Sequence, residues 1–122
     1  TSSDYVAVYR GGELFRVSTD ALATYVLTGS TTEVSNTYTI LSTDDTVKCT
    51  GSLSFTVTLP LIADVIEGKI FDIKHMGTGV ITVAAQTGEF VDDVAATLIN
   101  AGIAGAYPNR RVKKSGTEWI II

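Results

Sequence analysis

Apolar and polar residues alternate most cleanly between Leu53 and Leu59, where Leu53, Phe55, Val57 and Leu59 are separated by Ser54, Thr56 and Thr58. A period of two sends the apolar set to one face of a strand and the hydroxyls to the other. The segment therefore predicts a half-buried strand, ended by Pro60, which has no N–H to give to a ladder. Weaker versions of the pattern recur. Tyr38 and Ile40, then Val47 and Cys49, alternate with polar neighbours, and residues 69–76, with Phe71 and Ile73 expected on opposite faces, and 80–85 read as strands around Gly77-Thr78-Gly79, which predicts a hairpin. Between Leu61 and Gly68 the pattern fits a helical turn or an irregular crossover. Phe90, Val91, Leu98 and Ile99 flank a segment of small residues, and residues 111–114 and 117–122 flank a turn at Ser115-Gly116. The apolar end of that last strand, Trp119, Ile120, Ile121 and Ile122, is expected inside the sheet or against a second chain, because an exposed apolar edge aggregates.

Ahead of this body, residues 5–9 and 14–17 are β-prone and meet at Gly11-Gly12, which predicts a hairpin. Ser18, Thr19 and Asp20 offer N-cap oxygens to a helix of about two turns, in which Leu22, Tyr25 and Val26 share a face. Residues 28–33 are small, polar and aperiodic, the composition of a flexible connection. The expected organisation is an arm over residues 1–28, a linker over 29–36 and a body over 37–122. A hairpin and a short helix have too little interior for their own apolar side chains. Tyr5, Val6, Val8, Tyr9, Leu14, Phe15, Leu22 and Tyr25 are therefore the candidate partner-binding residues of the arm. Short strands with turn signals between them place the chain in the all-β class, as an antiparallel β-sandwich or jelly-roll-like domain carrying a hairpin-and-helix arm.

At 122 residues the chain has room for one domain with a core of its own. Charged residues make up 18%, below the roughly 25% of an average soluble domain, so some apolar surface is expected to be covered by another chain. The net charge is −4, and the basic residues gather only into the pairs Arg110-Arg111 and Lys113-Lys114. A nucleic-acid footprint needs a denser stripe; the two pairs read as part of a solvated terminal strand. No apolar run approaches the roughly 18 residues of a membrane span, and no basic n-region followed by an apolar stretch opens the sequence. A product of the bacterial cytosol is expected.

Chemistry-bearing residues are sparse. His75 is the one histidine and reads as a solvent-facing strand residue, with no second titratable group placed beside it by any motif. Asp44-Asp45 and Asp92-Asp93 read as turn residues, with a loop calcium site as the alternative. Cys49 reads as a small buried hydrophobe. No nucleophile elbow, P-loop or dinucleotide fingerprint is present, and no catalytic residue, cofactor or metal is assigned.

The run from Asp4 to Val17 (DYVAVYRGGELFRV), followed by Asp20-Ala21-Leu22, resembles the short segment near the start of many phage tail-fibre and other virion proteins. Thr56-Val57-Thr58-Leu59-Pro60, residues 68–74 (GKIFDIK), residues 79–83 (GVITV) and the ending Gly116-Thr117-Glu118-Trp119-Ile120-Ile121 resemble a small β domain of phage structural proteins. What the resemblance implies is a non-enzymatic homotrimer on the virion, either a capsid decoration protein bridging subunits of the major capsid protein or a tail component. The absence of a repetitive shaft or coiled-coil heptads favours capsid decoration. A carbohydrate-binding β-sandwich, with Trp119 or the tyrosines as stacking platform, is the rival from another class, although an apolar strand suits core packing better.

Overall fold

The computed structural model describes residues 29–122 in full and, of the preceding segment, the backbone of two strands, β1 (Tyr5–Arg10) and β2 (Glu13–Ser18). These two pair antiparallel as a separate two-stranded sheet, with Arg10 opposite Glu13. The helix expected over 21–27, with Leu22 and Tyr25, lies outside the described residues.

The remaining strands are β3 (Thr31–Val34), β4 (Tyr38–Thr39), β5 (Thr46–Cys49), β6 (Phe55–Thr58), β7 (Ile70–His75), β8 (Ile81–Ala84), β9 (Ala96–Ile99), β10 (Asn109–Ser115) and β11 (Glu118–Ile121). They form a five-stranded sheet in the order β11-β10-β7-β5-β3 and a four-stranded sheet in the order β4-β6-β8-β9. From β3 to β8 the chain alternates strictly between the two. Each strand therefore returns beside its predecessor in the same sheet after one circuit, and returns in the same direction: β3, β5 and β7 are parallel, as are β4, β6 and β8. Among these nine strands, the pairs β8–β9, β7–β10 and β10–β11 are antiparallel.

Three expectations are corrected by this topology. The chain is all-β, but its sheets are mixed rather than antiparallel, because a period of two fixes which face a residue takes and leaves the direction of the neighbouring strand open. Residues 69–85 do not make a hairpin, since β7 and β8 lie in different sheets. Residues 29–36 are not a linker: Thr31-Thr32-Glu33-Val34 is an edge strand, its register set by Thr31 beside Thr46 and by Ser30, whose N–H bonds the Asp45 carboxylate at 2.9 Å.

Inward-facing residues of both sheets meet in one cluster. Val47, Phe71, Ile73, Val112 and Trp119 come from the five-stranded sheet, and Phe55, Val57, Ile81, Val83 and Ile99 from the four-stranded one. Ile40, Leu59, Ile62, Val65 and Val91 close the ends from the connections. At roughly 1.5–3 kcal/mol for each large side chain removed from water, this cluster is the main source of stability. The segment between Pro60 and Lys69 makes one 3-10 turn, Ile62–Asp64, which seats Ile62.

Trp119 is fully buried, its ring 5.7 Å from that of Phe71 at 57°. Ile120 and Ile121 are half-buried and Ile122 is exposed. The outer edge of β11 is partly covered: Trp119 N–H donates to Phe90 O, Asp92 N–H to Trp119 O, and Ile121 N–H to Asp92 Oδ1 at 3.0 Å. Asp92 and Asp93, at φ 46° and 65°, form the two-residue turn that aims this carboxylate. Both central residues with positive φ is the type I′ arrangement, which aspartate tolerates better than most.

Candidate functional site

Three groups of polar side chains stand out in the described body. The first lies where β3, β4 and β5 begin or end. Asp44 follows a tight turn in which its N–H donates to Leu41 O and the Leu41 N–H donates back to Asp44 Oδ2 at 2.9 Å. Buried there, the carboxylate also accepts from Thr32 Oγ1 at 2.9 Å and from Tyr38 Oη at 2.6 Å. Burial, then the hydrogen bond to Asp44, pushes the Tyr38 phenol up to about 12. Its neighbour Asp45 takes Lys69 Nζ at 2.7 Å and Ser30 N–H, and the Lys69 contact, followed by that from Ser30, holds the Asp45 carboxyl below its usual range. Lys69 also sits 5.2 Å from the centre of the Phe71 ring. The pair expected to be plain turn residues therefore ties β3, β4, β5 and β7 together. Adjacent residues point in different directions, so the two carboxylates serve separate sites, and among the described residues no group of three acidic, histidine or cysteine side chains could hold a metal ion.

Replacing Asp44 leaves the Leu41 N–H and the Tyr38 and Thr32 hydroxyls without their acceptor. Asp44→Ala should cost about 2–3 kcal/mol in urea denaturation, and Asp44→Asn, which keeps one acceptor oxygen, clearly less.

The second group is His75 with Cys49, beside each other in β7 and β5. Contrary to expectation, His75 is buried rather than solvent-facing. Gly77 N–H donates to its Nδ1 at 3.3 Å, so Nε2 carries the proton and donates to Gly79 O. Both ring nitrogens are used in holding the 75–79 corner. Cys49 is fully buried as expected, and loss of water around it pushes the thiol up from 9.0 to about 11. Neither residue is open to a substrate. For a group whose folded value is raised, stability is complete below the unfolded value and is lost as pH rises through the folded one. Stability should therefore fall between about pH 9 and 11, with Tyr38 adding the same sign from 10.0 toward 12. Urea midpoints measured across that range should fall less steeply for Cys49→Val, and a maleimide reagent should label wild-type Cys49 only after unfolding.

The third group covers the outer face of the five-stranded sheet, where a shallow cleft is lined by Thr46, Asp72, Lys74, Asn109 and Arg111. Two ion pairs cross between its strands, Arg111 Nε lying 3.0 Å from Asp72 Oδ1 and Lys48 Nζ 3.9 Å from Glu33, and Lys74 Nζ donates to the backbone carbonyl of Tyr107 at 2.6 Å. Exposed pairs of this kind contribute about 0–1 kcal/mol each and set register more than they bind ligands.

The basic residues of β10 were expected to be solvated, and half of them are not. Alternation turns Arg110 and Lys114 inward with Val112. Arg110 Nη2 donates to Leu98 O at 2.6 Å, tying β10 to the opposite sheet, and Lys114 Nζ donates to Ile62 O at 2.8 Å and to Val65 O, closing the 3-10 turn. Period-two pattern alone could have found this, because Arg110 and Lys114 share parity with the buried Val112.

Of the residues singled out from sequence, Trp119 is core, and being fully buried it offers no stacking platform to a sugar. The side chains of Tyr5, Val6, Val8, Tyr9, Leu14 and Phe15 lie outside the described residues, with Leu22 and Tyr25. No family model matches the chain, and no curated protein or solved structure matches it.

Proposed function

We propose that this protein is a non-enzymatic structural component of a bacteriophage virion, most specifically a trimeric capsid decoration protein. In this reading the two sheets form a sandwich-like body, made in the host bacterial cytoplasm, and residues 1–28 form the arm that grips subunits of the major capsid protein. The observation that carries it is the surface of the body. Ile66 and Ile103 are 78% and 74% exposed, and Leu41, Leu53 and Leu61 also stand in solvent at the connections. Apolar side chains left out at the corners of a rigid stack suit a protein that works by being packed against others. The likeness of the Asp4–Val17 run and of the body strands to phage structural proteins supplies the setting.

The circuit topology favours one second reading, a tail component. Stacked coils extend in one dimension, the geometry of an elongated part. Copy number separates the two: quantitative mass spectrometry of purified particles should find hundreds of copies for decoration and a handful for a tail part. Absence from particles would end both readings.

A further inference from the structure

The strands of the four-stranded sheet, Tyr38–Thr39, Phe55–Thr58, Ile81–Ala84 and Ala96–Ile99, contain no charged residue. Their inward positions fill the core. Their outward positions form two cross-strand rows, Thr56 beside Thr82 beside Leu98, and Thr58 beside Ala84 beside Ala96. Leu98 is 55% exposed, and Val80, which shares parity with Thr82 and Ala84, is 37% exposed. The outer face of the other sheet carries Glu33, Lys48, Asp72, Lys74, Arg111 and Lys113.

We infer that further copies of this chain cover the four-stranded sheet, face against face around the axis of the homo-oligomer; the inference rests on the homotrimer in the reading above. Charge selects the occupant. Copies of a chain of net charge −4 approach at low electrostatic cost through a face that presents no charge. The threonine and alanine rows can meet their equivalents without burying an ion, whereas seating them on the charged sheet of a neighbour would strip water from Asp72, Lys74 and Arg111 and add no partner to the bonds those groups already make. Threonine hydroxyls both donate and accept, so identical rows satisfy one another. Closed symmetry repeats this contact without leaving an open edge.

The test is light scattering on the full chain, wild type against Thr82→Lys at the centre of the face and Leu98→Lys at its edge, with circular dichroism to follow folding. The expected result is a wild-type mass that is a multiple of 12.9 kDa and a single-chain mass for both folded variants. Variants that keep the wild-type mass overturn this surface and leave the homo-oligomer standing on another. A wild-type chain of single mass overturns both. Unchanged mass with residues 1–28 newly cut by protease means that the arm of the same chain covers the sheet, and also overturns it. If Thr82→Lys fails to fold, Leu98→Lys, at an already exposed position, decides alone.

Discussion

Gly79→Ala should remove about 3 kcal/mol or more of stability, although it adds a single methyl group. A Cβ at Gly79 would lie 2.2 Å from Leu53 O, 2.5 Å from Leu53 C and 2.6 Å from Ser54 N, all of them backbone. These atoms cannot rotate away as a flexible side chain would. The 51–54 connection also holds the corner in place: Thr78 N–H donates to Gly51 O, Val80 N–H to Ser54 Oγ, and Phe55 N–H to Val80 O. Opening the corner to admit the methyl breaks these bonds, detaches the start of the β6–β8 ladder, and takes Gly79 O from His75. Overpacking a tight site costs about 1–3 kcal/mol by itself, and unpaired buried groups add to that. Gly88→Ala is the control. Gly88 has φ +83° and nothing within 4 Å, so it carries only the conformational cost of about 1–2 kcal/mol. Urea denaturation of both variants gives the comparison; equal losses would mean that the 51–54 and 76–80 connections do not stack.

Trp119→Ala should cost about 3–5 kcal/mol, the range for emptying a large aromatic site. The ring is fully buried against Phe71, and its backbone carries two of the bonds that cover the β11 edge. Its indole Nε1 has no partner among the described residues. Trp119→Phe removes that unpaired donor along with part of the ring, so it should cost well under half as much as alanine. Trp119 is the only tryptophan, so wild-type fluorescence should be blue-shifted and shift to the red on unfolding. If Trp119→Ala stayed within about 1 kcal/mol of wild type, the ring would not be the core element described.

In the virion role proposed above, the link from these residues to assembly would be mechanical. Corners fixed by backbone contacts and a core filled from both sheets give a body that transmits load with little deformation. The same stacking leaves apolar side chains at the connections with no place inside.

Much of the strand content was legible in the chain because local alternation has a local cause. Leu53 to Leu59 predicted a strand, and the structure has β6 with Phe55, Val57 and Leu59 buried, while Leu53, which alternation put on the same face, lies ahead of the strand and is exposed. Thr31–Val34 escaped notice because an edge strand needs only one partner and can afford exposed hydroxyls. The burial of His75 was not legible because its one donor, Gly77 N–H, and its one acceptor, Gly79 O, take positions that follow from the corner rather than from any motif. Asp44 escaped because Thr32 and Tyr38 reach it only after the first circuit closes.

By itself the sequence determined the all-β class, the inward set Phe55, Val57 and Leu59, and the burial of Cys49 and Trp119, since each follows from side-chain hydrophobicity and a two-residue period; Phe71 and Ile73, expected on opposite faces, both point inward, as residues two apart on a strand must. Tertiary structure decided strand direction, sheet membership and the carbonyls that Arg110 and Lys114 reach, Leu98 O and Ile62 O. These depend on which backbone groups meet across a circuit, and a pattern local to one strand carries no information about the strand it will lie beside.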